Sequence, residues 1–167
     1  MSADHPTHVG HVHLKVRNVD RALDFYTEVL GLSVTERQGR YAFCSWGHHH
    51  HDVALQGVGE DAAGPGSGVG MYHAAFEVET PEALRTIFER LRERGVRVSP
   101  VDHGISKAIY FDDPDGNGLE VYLDTREVRG SDQGEEPREG ERGRMTREQR
   151  DRQTWGGSNE PFDPTDL

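Results

Sequence analysis

Two short strand-like segments start 62 positions apart, at His11 and at His73, and in the first of them apolar and polar residues alternate. In His11 to Val16, the side chains of Val12, Leu14 and Val16 take one face of a strand, and His11, His13 and Lys15 take the other. Asn18-Val19-Asp20 supplies a helix cap, and Ala22, Phe25, Tyr26, Val29 and Leu30 recur at helical spacing through Arg21 to Leu30, with Gly31 as the stop. Strands are expected near Val34 to Arg37, Tyr41 to Ser45 and Asp52 to Gln56. A glycine-rich linker from Gly57 to Gly70 comes next. The second half repeats the order. His73 to Val78 reads as a strand, and Thr80-Pro81-Glu82 opens a helix with proline in its first turn. Leu84, Ile87, Phe88 and Leu91 share one face of that helix, which ends at Gly95. Strands are expected near Val96 to Ser99, Lys107 to Phe111 and Leu119 to Leu123, the last two joined by Asp112 to Gly118. Each half is therefore βαβββ. The pattern predicts an α+β fold in which modules 8–58 and 70–124 pair, their curved mixed sheet enclosing a metal cavity and its apolar faces covered by the helices.

Composition sharpens this outline. Only 33% of the residues are hydrophobic, and mean hydropathy is -0.80, but the shortfall falls mainly after Asp124. Segment 125–167 is expected to be a charged, partly disordered tail, with Gly130 to Gly143 its least structured part. Met145 to Gln153 could form a short charged helix, and Trp155-Gly156-Gly157 and Pro161-Phe162 are candidate anchors onto the body or a neighbouring subunit. No apolar run reaches the roughly 20 residues of a membrane span, and Met1 to His5 does not resemble a signal peptide. The single cysteine, Cys44, excludes an internal disulfide framework. A cytoplasmic protein is the expectation. Thirty acidic residues face 19 basic ones for a net charge of -11, and Lys15 and Lys107 are the only lysines. That balance disfavours nucleic acid and anionic membrane as partners, and it resembles the surfaces of halophilic proteins.

The repeat also organises the chemistry. His11 and His73 open matching strands, and Glu120 lies on the last strand of the second module. Two imidazoles and one carboxylate form the donor set of a facial triad, which holds a divalent iron-type ion and leaves positions open for substrates. His13 shares the polar face of the first strand and competes with His11. In the run His48 to His51, the first three histidines need only be a solvated loop, while His51 directly precedes a strand.

These motifs resemble the vicinal oxygen chelate superfamily, and within it the type I extradiol catechol 2,3-dioxygenases. Gly10-His11 with Phe25-Tyr26-Thr27-Glu28-Val29-Leu30-Gly31-Leu32 is similar to that group's first-ligand strand and helix. His51-Asp52-Val53-Ala54-Leu55 resembles the segment with its second-sphere histidine, and Tyr72-His73-Ala74-Ala75-Phe76 its second-ligand strand. Asp102 to Phe111 resembles the strand with the substrate-side His and Tyr, and Asp113 to Val121 the turn into the carboxylate ligand. The likeness spans about residues 8 to 124 and implies a minimal form without the extra module of longer members. It implies Fe(II) or Mn(II) on His11, His73 and Glu120, with no organic cofactor. A small aromatic substrate and O2 would be the partners, in a monomer or a homo-oligomer. His51 would act as acid-base group, and His103 and Tyr110 would hold the catechol. Glyoxalase-like isomerases or thiol transferases and noncatalytic resistance proteins are the alternatives within the superfamily. Gln56, the mirror of Glu120, weighs against the isomerase, because a neutral amide is a poor base where that chemistry uses a carboxylate.

The charge balance leads to a direct expectation. Melting temperature should rise as monovalent salt goes from low to molar concentration, because screening relieves repulsion within a chain of net charge -11. A flat or falling series would remove the case for salt adaptation.

Overall fold

A computed structural model describes residues 4–126 and 160–167. Ten elements precede the C-terminal segment: β1 (Val12–Val16), α1 (Val19–Leu30), β2 (Ser33–Gln38), β3 (Tyr41–Ser45), β4 (Val53–Gly57), β5 (Ala74–Val78), α2 (Pro81–Glu93), β6 (Ser99–Asp102), β7 (Ser106–Asp112) and β8 (Gly118–Asp124). They form two four-stranded sheets of the same order, β1-β4-β3-β2 and β5-β8-β7-β6. The fold is α+β, and each half is the βαβββ repeat that the alternation predicts. No helix among the described residues is long and apolar enough to cross a membrane.

The chain divides into two units, Met1–Ala74 with Asp112–Leu119, and Ala75–Phe111 with Glu120–Leu167. In the first, β1 runs parallel to β4, pairing His13 with Ala54 and Lys15 with Gln56. Strands β3 and β4 are antiparallel, with Tyr41 opposite Gln56. Leu14, Val16, Ala42, Cys44, Val53 and Leu55 are buried, as is the Ala22, Phe25, Tyr26, Val29 and Leu30 stripe of α1. That helix packs on β2, β3 and β4. Its ends are set by local chemistry. The Asn18 side chain accepts from the Asp20 and Arg21 amides, and Gly31 closes the helix in the left-handed region at φ 70°, where glycine alone carries no Cβ penalty.

The turn between β7 and β8 belongs to this first unit and is fastened by two buried aspartates. Asp113 Oδ1 accepts from the Asp115 and Asn117 amides, closing the turn on itself. Its Oδ2 accepts from the Tyr26 hydroxyl at 3.0 Å and from Asn117 Nδ2 at 2.8 Å. Burial first, and then the Asp113 charge, hold the Tyr26 phenol well above its ordinary pKa. Asp115 accepts from the Arg17 amide, from Arg17 Nη1 at 3.1 Å and from Arg21 Nη2 at 2.7 Å.

In the second unit, Thr80 caps α2 by accepting from the Ala83 amide, and Pro81 takes the first turn. Leu84, Phe88 and Leu91 are buried. Strand β6 starts at Ser99, three residues after the expected position, because the chain uses Gly95 and Val96 to close α2. The Gly95 amide bonds the Arg92 carbonyl and the Val96 amide bonds the Leu91 carbonyl, with Gly95 at φ 69°. The remaining differences are one or two residues at element ends: β1 and β5 each start just after their histidine, and α1 starts at Val19. Residues 160–167 lie on this unit and end in a short 3-10 turn, Pro164–Asp166, packed on α2. Gly130 to Gly143, Met145 to Gln153 and Trp155-Gly156-Gly157 fall outside the described residues.

The Asp115 side chain is only 4% exposed and serves two arginines, themselves 28% and 44% exposed. Asp115→Ala should lower unfolding free energy by about 2–3 kcal/mol, since it removes charged hydrogen bonds from partly screened partners. Urea denaturation at neutral pH measures it; a loss under about 0.5 kcal/mol, the range of ordinary surface changes, would show that the turn is held otherwise.

Candidate functional site

Within the first unit, His11 stands one residue before β1 and His51 two residues before β4. The Val12 amide bonds the Asp52 carbonyl at 3.0 Å, which ties the heads of these two strands together. The His11 and His51 rings come 4.5 Å apart between centroids, and Phe43 packs edge-on to His51 at 5.1 Å. Burial first, then the charges of His11 and His50, lower the His51 pKa. His13 lies on the same strand face as Tyr41, 6.2 Å from that ring. Gln56 Nε2 donates to the Tyr41 hydroxyl at 3.3 Å. His73 precedes β5 and is half-buried. It sits beside Gly118, where a Cβ would come 2.7 Å from the Tyr72 carbonyl oxygen and 3.4 Å from the His73 Cβ. Glycine is needed there so that the start of β8 can run against the residue before β5.

The histidine run is shaped by Asp52, a residue whose role the local pattern does not reveal. Its Oδ2 accepts from Ser45 Oγ and from the Trp46 amide, each at 2.9 Å, and its Oδ1 lies 3.1 Å from His49 Nδ1. The His49 carbonyl lies 2.8 Å from the same Ser45 Oγ, so the one hydroxyl proton is divided between two acceptors. This buckle closes the loop from Ser45 to Asp52 and sets where His51 leaves it. The Nδ1 atoms of His50 and His51 lie 3.0 Å apart, within hydrogen-bond distance, and Glu36 lies 3.5 Å from His50 Nε2.

The second unit contributes a directed hydrogen-bond chain. The Tyr110 hydroxyl donates to Glu120 Oε1 at 3.1 Å and lies 2.8 Å from His103 Nε2. With its single proton directed to Glu120, the hydroxyl accepts from His103, which therefore carries hydrogen on Nε2. Glu120 is buried at 9% exposure. Spacing alone could not show this chain, because it depends on β7 and β8 being neighbours.

The three candidate triad residues divide between the units, His11 and His73 in the first and Glu120 in the second. Among the described residues no group of three or more His, Cys, Asp or Glu side chains is gathered as a metal site. The donor types themselves, two imidazoles and a buried carboxylate oriented by a tyrosine, suit a divalent transition ion. A cavity of about 1170 Å³ in the first unit is lined by Lys15, Arg17, the glycine-rich loop and the Asp112–Gly118 turn, and none of the six candidate residues borders it. Cys44 is free and buried, and burial pushes its thiol up to about 11, which removes it as a nucleophile near neutral pH.

The chain belongs to the glyoxalase/bleomycin resistance protein/dioxygenase superfamily, whose model matches residues 8–121. It is 34% identical over 119 residues to a catechol-2,3-dioxygenase of Bacillus subtilis, covering 71% of this chain and 42% of that protein. It is 31% identical over 118 residues to a biphenyl-2,3-diol 1,2-dioxygenase of Rhodococcus globerulus, covering 69% and 62%. The chain thus spans between about two fifths and three fifths of these relatives. Lactoylglutathione lyases and a glutathione transferase are also among the relatives. A glyoxylase/bleomycin resistance protein/dioxygenase domain from Frankia superposes with a TM-score of 0.63 at 25% identity, covering 72% of this chain and 93% of that one.

Burial alone would raise the Asp52 carboxyl, but its hydrogen bonds from Trp46, Ser45 and His49 outweigh burial and hold it below the ordinary range. A folded-state value below the unfolded one adds stability that is complete above the ordinary carboxyl range and is lost as pH falls through the lowered value. Wild type should therefore exceed Asp52→Asn by about 1 kcal/mol or more at pH 7, with the gap closing as pH falls through about 4 and below. Urea titrations at a series of pH values check it; a gap that stays constant down to about pH 2.5, below the ordinary carboxyl range, would mean the carboxylate is not what fastens the loop.

Proposed function

We propose that this chain is a metal-dependent extradiol ring-cleaving dioxygenase that acts on a catechol-type aromatic with O2. His11, His73 and Glu120 are its metal ligands, and Fe(II) or Mn(II) its ion. The observation that carries this reading is the His103–Tyr110–Glu120 chain, which couples the proposed carboxylate ligand to two groups suited to a phenolic substrate. The dioxygenase relatives support the same reading. An ion of this kind, when bound, supplies Lewis acidity toward the substrate oxygens and the electrons that dioxygen chemistry requires.

The side chains then have separate tasks. Tyr110 engages one carboxylate oxygen of Glu120 and so fixes the direction of the other. Tyr110, steadied by His103, orients the aromatic ring by accepting a hydrogen bond from one of its hydroxyls. His51, with a lowered pKa, is neutral near pH 7 and can take up a proton and return it to a product oxygen. At the mirror position of Glu120, Gln56 gives its amide to Tyr41 and offers no carboxylate for isomerase chemistry.

Metal analysis together with a catechol assay tests the assignment. His11→Ala, His73→Ala and Glu120→Ala should each lose stoichiometric metal and activity, while His13→Ala keeps most of both. His51→Gln should retain metal and substrate affinity but lose about 10² to 10⁴ in kcat, the range of a general acid-base group. Loss of metal in His13→Ala with retention in His11→Ala would reverse the assignment on β1. Loss of iron or manganese in His51→Gln would make His51 a ligand.

A further inference from the structure

Among the described residues, the turn that carries His103 is held by contacts from three directions. Inside it, the Asp102 carboxylate accepts from the Gly104 amide at 2.7 Å, and the His103 amide bonds the Ser106 carbonyl at 2.9 Å. From the exit of β8, Thr125 bonds the Ile105 carbonyl through its amide at 2.9 Å and the Gly104 carbonyl through its hydroxyl at 3.3 Å. The third set of contacts comes from the C-terminal segment. Glu160 pairs with Asp102 as an antiparallel bridge, Asp102 N to Glu160 O at 2.8 Å and Glu160 N to Asp102 O at 3.2 Å. Lys107, 3.4 Å from the Asp102 carboxylate, places its ammonium 4.7 Å from the centre of the Phe162 ring. Beyond that point Pro164 is buried, and Arg85 Nη1 of α2 donates to the main-chain oxygen of Leu167 at 2.6 Å.

We propose that Glu160–Leu167 is a positioning clasp for His103, covering the open edge of β6 and holding the turn whose imidazole meets Tyr110. The physical case is one of leverage. An edge strand presents unpaired amides and carbonyls, and β6 is the outer strand of its sheet. Its last residue, Asp102, is also the first of the His103 turn. Pairing that residue with Glu160 fixes the backbone next to the imidazole, and the cation–π contact at Lys107 fixes the other side of the turn. The segment acts on His103 through Asp102 and Lys107. Its catalytic consequence rests on the dioxygenase reading, whereas the clasp itself does not.

Amide hydrogen exchange on the full chain tests it, with Phe162→Ala, Phe162→Tyr and Glu160→Pro compared with wild type. The His103 and Gly104 amides should exchange faster by about tenfold in Phe162→Ala, the scale of losing an aromatic contact with a cation, and also faster in Glu160→Pro. Phe162→Tyr, which keeps the ring, should match wild type. Amides of Leu84 and Val121 should be unchanged, which separates local loosening from global destabilisation. With catechol, Phe162→Ala should lose about tenfold or more in kcat/KM with its metal content intact, because misplacing a positioned group by about 1 Å can cost up to 10²-fold. Unchanged exchange at 103 and 104 in both disruptive variants would overturn the clasp. Faster exchange with undiminished kcat/KM would overturn its role in catalysis. A wild-type protein that leaves catechols intact would sink the dioxygenase reading, and the exchange comparison would still decide the clasp.

Discussion

Two buried carboxylates in one turn anchor the first unit and fix the start of β8. Asp113 and Asp115 lie only two residues apart, yet they face different partners: Asp113 meets the Tyr26 phenol, and Asp115 meets Arg17 and Arg21. A buried carboxylate is costly unless hydrogen-bonded and paired, so each can be buried only if the turn sits in one position against α1. Gly116, at φ 90°, lets the chain reverse there, and Gly118 lets it pass close to Tyr72 and His73. The turn leads directly into β8, which carries Glu120 at its third residue. Electrostatics within the turn thereby decides where that strand begins.

The same device recurs at smaller scale. Asp52 closes the loop that ends at His51, and Asp102 closes the turn that carries His103. In each case an aspartate oxygen accepts from a backbone amide of its own loop, a common use of short acidic side chains. The acid excess of the chain is therefore not only a surface property. Several acids are structural fasteners, and others, such as Asp20 with Arg37, are exposed ion pairs that contribute little to stability.

The C-terminal segment is a further case of an edge being managed. Glu160 supplies backbone partners to Asp102, and Lys107 is shared between a carboxylate and an aromatic ring. The outer strand β2 of the other sheet is exposed along its length. It carries Thr35, Glu36, Arg37 and Gln38 in succession, a polar edge of the kind that discourages pairing with other chains.

Local rules sufficed for most of the architecture. Period-two alternation marked β1, its repeat 62 positions on marked β5, and the 3.6-residue stripe together with Asn18, Gly31, Thr80 and Pro81 marked the helices, because caps and periodicity depend only on near neighbours. The duplication put the candidate ligands His11 and His73 at matching positions, each just before its strand, for the same reason. Distant partners were not legible there. Nothing local announces that Tyr26 bonds Asp113 across 87 positions, that Tyr110 links His103 to Glu120, or that Glu160 pairs with Asp102. The shift of β6 to Ser99 had the same origin, since closure of α2 and the pairing of Asp102 compete for residues whose propensities do not choose between them. The elements, their order and the donor types are thus properties of the linear chain. Which of those donors are oriented is settled only on folding, because orientation comes from hydrogen bonds between residues that lie far apart until the chain has folded.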